Sequence, residues 1–393
     1  MSGVANLVKE VEGCLQRQQS SRAAQLLAIS YDSSAPRIQE SDSAIDSICQ
    51  STLSNGYHDV VAPLLKAKRL VQQNKYADAY DMQVVGFVQF LELFRDQNNW
   101  LVPLLQRFTF DTRILAQHAD AELSATRGIE VTDKLANAEQ NLKKGFAMTL
   151  NDRAAPELSK KPATLYIVNQ LFKIYFRLNK INLCGNVIQA INKQTFSIFD
   201  KRDQVTYMYY LGRIRMLEDK YTDADECFGF AWRHCHLECT RNKRMILQYL
   251  VPVKLALGVL PTPALLRQYQ LTEYVDIAAA IRQGNLLAYY QCLEQYQDQF
   301  VQQGMYLLMQ KLGLLVMRTL LKKVYLIGNK SDKVRLTDFA AAVALMGTSL
   351  DMDAVECVVA NLIINNYVKG FLSHKLHVLV LSKSDPFPSI SHC

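Results

Sequence analysis

The chain has 393 residues, 49% of them hydrophobic, with 44 basic side chains against 37 acidic ones. That apolar content excludes a disordered chain, and the net charge of +7 is compatible with a polyanionic partner without requiring one. The most apolar stretch, Met305 to Gly328, is interrupted by Lys311, Arg318, Lys322 and Lys323, so a membrane span is not expected.

Only 16 glycines and 10 prolines occur, which favours helices over sheet. The N-terminal Met1-Ser2-Gly3-Val4 lacks a basic stretch followed by an apolar core, so no secretory signal is expected. Nine cysteines, an odd number with irregular spacing and no Cys-x-x-Cys, read as reduced thiols in the cytoplasm or nucleus.

In chain order, apolar residues recur at three and four from Val60 to Val71, Ala77 to Phe94 and Val102 to Ala119, each predicting an amphipathic helix. From Thr164 to Lys180, Leu165, Val168, Leu171, Phe172, Tyr175 and Leu178 form an apolar face. Asn169, Lys173, Arg177 and Lys180 are placed on the opposite, basic face. Helices are also predicted at Val205–Leu217 and Asp223–Cys235, and Asn285–Phe300 continues the helical array. Two strings echo each other: Asn74-Lys75-Tyr76-Ala77-Asp78-Ala79 and Asp219-Lys220-Tyr221-Thr222-Asp223-Ala224. Both put a tyrosine at a turn and a small residue in the next helix, as paired-helix solenoids do.

After Met305 the pattern changes. A long helix to Gly328 is followed by a polar turn and a short apolar piece, Val334 to Leu336. Thr337 is the expected N-cap of a helix over Asp338–Met346, and Asp351 opens a second helix. Two strands, Val368–Leu372 and Leu376–Leu381, flank a Ser373-His374-Lys375 turn, and Asp385-Pro386-Phe387-Pro388 is expected to be a tail. Strand, helix, helix and two-stranded wing is the order of a winged helix. The fold class expected is mainly α: a helical-repeat, TPR-like, right-handed stack followed by a C-terminal winged helix. Residues 1–160 are assigned to N-terminal repeats, 161–304 to further repeats, 305–384 to the winged helix and 385–393 to the tail.

This layout resembles the PCI-domain family of scaffold subunits. The string Tyr166-Ile167-Val168-Asn169-Gln170-Leu171-Phe172-Lys173-Ile174-Tyr175-Phe176 is similar to a helix of the PCI subunit of the TREX-two messenger-RNA export complex. Asn242 to Leu247, Leu250 to Lys254, Lys322 to Leu326, Ala360 to Ile363, Val368 to Gly370 and Pro386 to Pro388 extend the similarity, which is weak in residues 1–60 and 120–160. The resemblance implies a non-catalytic subunit that pairs with a Sac-three or GANP-type PCI scaffold and holds a small acidic Dss/Sem-type protein. It also implies binding of RNA or DNA through winged helices, association with the nuclear pore through the complex, and residence in nucleus and cytoplasm. The layout alone leaves a proteasome-lid or translation-factor subunit open.

Catalytic motifs of the P-loop, zincin, nucleophile-elbow and dinucleotide-binding types are absent from the sequence. Cys227, His234, Cys235, His236 and Cys239 cluster, but only Cys235 and Cys239 share a helical face, so neither a metal nor any other cofactor is expected. From Met305 onward, ten lysines and arginines face six carboxylates, a local net charge of +4. The nucleic-acid-binding residues expected there are Arg318, Lys322, Lys323, Lys330, Lys333, Arg335, Lys369, His374 and Lys375. Asp351, Asp353 and Glu356 at the start of the second helix would repel phosphates, so sequence reading in a major groove is not expected. Lys173, Arg177, Lys180, Arg241, Lys243 and Arg244 are the cations expected to meet an acidic peptide. At least one of Tyr207, Tyr209 and Tyr210 should be exposed for partner contact.

Overall fold

A computed structural model describes residues 3–31, 37–192 and 196–390, so Cys393 lies outside the described residues. The chain divides into two compact units, Met1–Tyr207 and Met208–Cys393.

The first unit is built from α1 (Gly3–Gln16), α2 (Ser20–Leu27), α3 (Asp42–Thr52), α4 (His58–Gln72), α5 (Tyr76–Arg95), α6 (Val102–Arg127), α7 (Asp133–Leu150), α8 (Thr164–Arg177), α9 (Cys184–Asn192) and the start of α10 (Lys201–Leu217). Successive helices from α3 to α9 pack on one another, each burying the face that the three-four periodicity marks. At the α4–α5 crossing the residue of closest approach is Gly86. A Cβ there would lie 3.0 Å from the Leu64 side chain and from the Val60 carbonyl, so any larger residue would force the helices apart.

The second unit continues with α11 (Tyr221–His234), α12 (Thr240–Ala256), α13 (Pro263–Gln268), α14 (Glu273–Gln283), α15 (Leu286–Gln295), α16 (Gln297–Gln303) and α17 (Tyr306–Ile327). The helical array expected over Asn285–Phe300 consists of two helices, because the chain breaks at Tyr296 and restarts. Then come β1 (Lys333–Arg335), α18 (Leu336–Leu345), α19 (Met352–Ile364), β2 (Gly370–Ser373) and β3 (Val378–Leu381). The strands form an antiparallel sheet in the order β1-β3-β2, packed with α18 and α19 as a winged helix, and α17 lies against both of these helices. Helical repeats and a winged helix are thus both present.

The two echoing strings adopt one geometry. Asn74 and Asp219 each take a left-handed conformation, φ 59° in both. The next amide closes the preceding helix with a six-to-one bond, Lys75 N to Leu70 O at 3.0 Å and Lys220 N to Arg215 O at 2.9 Å. Tyr76 donates its hydroxyl to Asn74 Oδ1 and Tyr221 to Asp219 Oδ1. Five residues after the turn, Ala79 and Ala224 are both fully buried. Asn and Asp serve here where glycine usually does because their short polar side chains tolerate the left-handed region.

Two local expectations change. Thr337 is not the cap of α18: the helix starts at Leu336, whose amide donates to His377 O (2.9 Å) while its side chain is buried. β1 therefore runs directly into α18, and the bond to His377 O satisfies the first free amide of the helix. Asp351 does cap α19, accepting from Ala354 N at 2.7 Å. The stretch expected as a tail packs on the body, at least to Ile390. Phe387 is buried with its ring 5.5 Å from that of Tyr325, and Lys369 N donates to Pro386 O.

Candidate nucleic-acid interface

Strand pairing decides which cations share a surface. In β1 only Val334 is buried, so Lys333 and Arg335 both point away from the core. The register aligns Lys333 with Val380 and Phe371 in one row, and Arg335 with Val378 and Ser373 in the next. Residues in a cross-strand row lie on one face. The outer face of the sheet therefore carries two cations on β1, two half-buried valines on β3, and on β2 the 63%-exposed Phe371. The inner row, Val334 with Leu379 and Leu372, faces the core. Gly370 lets β2 approach β3, since a Cβ there would run into the Val380 carbonyl.

The nine cations expected to bind nucleic acid fall into groups. Lys322, Lys330, Lys333 and Lys375 are exposed and form no ion pair among the described residues. Lys323 is exposed but donates to Gln283 O, the last carbonyl of α14, at 2.6 Å, where a cation suits the helix dipole. Arg335 pairs with Asp338 at 3.0 Å and Lys369 with Asp385 at 3.5 Å. Arg318 is half-buried and donates to Tyr367 O and Pro388 O, tying α17 to the C-terminal segment. Its guanidinium is a structural tie rather than a free surface cation. His374, on the wing, turns its Nδ1 to Glu356 at 2.6 Å. Glu356, expected to repel phosphate, is buried and receives His377 Nδ1 as well, at 2.8 Å. The two imidazoles hold the Glu356 carboxyl below the usual range, and Glu356 raises the pKa of His374. Asp351 and Asp353 remain exposed at the N-terminus of α19.

The second set of cations is sorted in the same way. On α8, Arg177 and Lys180 just beyond it are exposed, but the basic face expected for this helix is partly covered. Asn169 is buried and donates to Asp203 O. Lys173 is half-buried; burial first and Arg113 second push it down to about 8, against a smaller opposing pull from Asp203. In the second unit Arg241 is exposed and Arg244 donates to the carbonyls of Tyr269 and Gln270. Lys243 is buried, with Nζ 4.1 Å from the centre of the Trp232 ring and donating to Trp232 O, so it cannot form part of an exposed cationic face. Tyr207 and Tyr209 are buried and Tyr210 is half-buried, so the exposed tyrosine expected here is not found. Tyr209 packs between Tyr249, Phe228 and the Arg213 guanidinium.

Within the cysteine–histidine cluster, Cys227 and Cys235 are buried, Cys239 is exposed, and His234 stacks on Phe230. The arrangement that spacing did not reveal is Glu356 with His374 and His377, whose ligand-type atoms lie within 4.8 Å of one another. Its one signal in the sequence is the His374-x-x-His377 pair, because Glu356 is contributed by a separate helix.

Comparison with known proteins matches a PCI domain over residues 293–383 and PSMD3-like, N-terminal TPR repeats over residues 126–276. PCI domain-containing protein 2 of Danio rerio is 35% identical over 390 residues, covering 98% of this chain and 97% of that protein. The PCI domain-containing protein 2 homolog of Drosophila melanogaster is 38% identical over 322 residues, covering 80% of each. Protein CSN12 homolog of Neurospora crassa is 30% identical over 371 residues, 84% of this chain and 82% of that protein. With a winged helix of PCI type at its C-terminus and such similarity along nearly its whole length, the chain belongs to the PCI domain-containing protein 2 family of scaffold-type proteins.

Proposed function

We propose that the protein is a non-catalytic adaptor of a TREX-two-type messenger-RNA export complex, acting at the nuclear pore and shared between nucleus and cytoplasm. It would pair with a Sac-three or GANP-type PCI scaffold, hold a small acidic Dss/Sem-type protein, and bind RNA or DNA without sequence preference. The supporting observation is the division of the winged-helix sheet. One edge, β1 with the preceding turn, presents Lys330, Lys333 and Arg335; the other, β2 with its turn, presents the exposed apolar Phe371 and Leu376, with Lys375 as its exposed lysine. Exposed cations suit a phosphate backbone. An unpaired strand edge flanked by apolar side chains suits another protein. The acidic residues at the start of α19 argue against insertion of that helix into a major groove.

Purification of the tagged protein from cells tests the assignment. Co-elution of an export scaffold and a small acidic subunit supports it, whereas co-elution of proteasome ATPases or translation factors replaces it with another PCI assembly. Charge reversal of Lys322, Lys323, Lys333 and Arg335 should weaken RNA binding and leave partner assembly intact; unchanged affinity would remove this patch from consideration.

A further inference from the structure

The wing carries a cluster that the adaptor reading does not use. Glu356 lies on α19, while His374 and His377 bracket the short 3-10 turn joining β2 to β3. Both Nδ1 atoms are directed at one carboxylate, His374 to Oε2 at 2.6 Å and His377 to Oε1 at 2.8 Å. We propose that Glu356, His374 and His377 form a site for a divalent transition metal of the zinc type, which clasps the wing to α19.

The donor set selects the metal. Two imidazoles and one carboxylate suit zinc, cobalt, nickel or copper, whereas calcium and magnesium take oxygen ligands. The distances are close to what such an ion needs. Bonds of 2.0–2.1 Å in a tetrahedron set ligand atoms about 3.3 Å apart. The present nitrogen–oxygen separations, 2.6 Å to one carboxylate oxygen and 2.8 Å to the other, need the rings to withdraw by roughly 0.7 and 0.5 Å.

The frame holding the ligands is fixed on both sides. The Glu356 backbone lies between the core residues Val355 and Val359 on α19. The turn is pinned by His377 N to His374 O at 3.2 Å and by Leu336 N to His377 O at 2.9 Å. His377 takes the left-handed region at φ 50°, and its Nδ1 lies 2.8 Å from Glu356 Oε1. Ligands fixed by their own backbone bind a metal with less ordering cost than ligands on a loose loop.

Protons balance simply. On binding, each ring leaves its Nδ1 without a proton, so that the Nδ1 lone pair faces the ion; a proton on Nδ1 passes to Nε2 if that nitrogen is bare and to solvent if it is already protonated. Three protein ligands leave a coordination position for water. The rings are 78% (His374) and 48% (His377) exposed, too open for a water-excluding catalytic pocket. The role assigned is therefore mechanical: a bond from the hairpin to the helix that fixes the wing.

The test uses the full-length protein, stripped with chelator and titrated with zinc chloride by calorimetry and with cobalt chloride by absorption. One zinc equivalent should bind, with cobalt bands of nitrogen–oxygen type and no thiolate charge-transfer band. His374→Ala and His377→Ala should each weaken binding about tenfold or more, the scale at which even outer-shell partners matter. Both side chains are exposed, so these variants should fold, and circular dichroism checks that. Glu356→Gln serves as a third variant. Hydrogen exchange reads out the clasp: zinc should slow exchange of the Leu336 amide in the wild type and not in His377→Ala. The site is refuted if the wild type binds no more zinc than the double histidine variant, or if the cobalt spectrum is that of thiolates. The clasp is refuted if zinc binds and Leu336 exchange is unchanged.

Discussion

The division of the patch into unpaired and engaged cations makes a quantitative prediction about RNA binding. Among the described residues Lys322, Lys330, Lys333 and Lys375 are exposed without ion pairs, whereas Lys323, Arg335 and Lys369 already bond a carbonyl or a carboxylate. Each phosphate contact on a single strand contributes about −0.7 to the slope of log K against log salt. Replacing the four unpaired lysines by glutamine should flatten that slope by about 2.8. If the lost contacts are purely electrostatic, affinity at about 0.1 M salt falls roughly 600-fold. Replacing Lys323, Arg335 and Lys369 instead should cost far less. An arginine must leave Asp338, and a lysine Asp385, before meeting phosphate, so their binding gain is already partly offset. Fluorescence anisotropy with a labelled polyuridine oligonucleotide, from about 50 to 200 mM salt, measures both slopes. The reasoning fails if the four-lysine variant keeps the wild-type slope, or if the engaged set proves equally costly.

Lys173 should behave as a buried titrating amine rather than a surface cation. A fall from 10.5 to about 8, at 1.36 kcal/mol per unit, sets an upper bound of about 3 kcal/mol on the penalty for its charge near pH 7. Because the folded pKa is lowered, the penalty is full below about 8 and is relieved as pH rises from there towards 10.5. Lys173→Met should therefore stabilise the protein by about 1–3 kcal/mol at pH 7, with a gap about 1 kcal/mol smaller at pH 9. Urea unfolding at the two pH values checks this, and a destabilised variant at pH 7 would contradict it. Phe387→Ala should cost about 3 kcal/mol by emptying the site against Tyr325. A loss below about 1 kcal/mol would return the C-terminal segment to the status of a tail.

Periodicity made the helices legible, since each long amphipathic run repeats its burial pattern over several turns. Even the two echoing strings, six residues each, match a shared geometry, because a left-handed turn residue, a tyrosine reaching back to it and a small buried alanine are all local. What the sequence hid was long-range. Nothing near Lys243 announces that Trp232 will roof it, and nothing near Arg318 announces carbonyls 49 and 70 residues away at Tyr367 and Pro388. Both residues read as surface cations because charge is visible in a sequence and burial by a distant segment is not. Thr337 misled for a related reason: it has the chemistry of a cap, but the helix begins one residue before it, where β1 runs straight in and the Leu336 amide pairs with His377 O.

The winged helix shows what this implies for reading charge in such domains. A count of basic residues from Met305 onward treats Lys333 and Arg318 alike. Strand register puts Lys333 on the outer face by a period-two rule, while Arg318 is turned inward by two carbonyls. The same sorting changes the meaning of Glu356. As one carboxylate among six it lowers the charge of the domain; held between His374 and His377 it no longer presents a bare negative charge to an approaching phosphate. The electrostatic character of this surface therefore follows from which cations lack partners. Five exposed lysines without an ion pair among the described residues, Lys383 with the four above, are a smaller footprint than ten basic residues suggest, consistent with a contact that supplements protein–protein assembly and does not replace it.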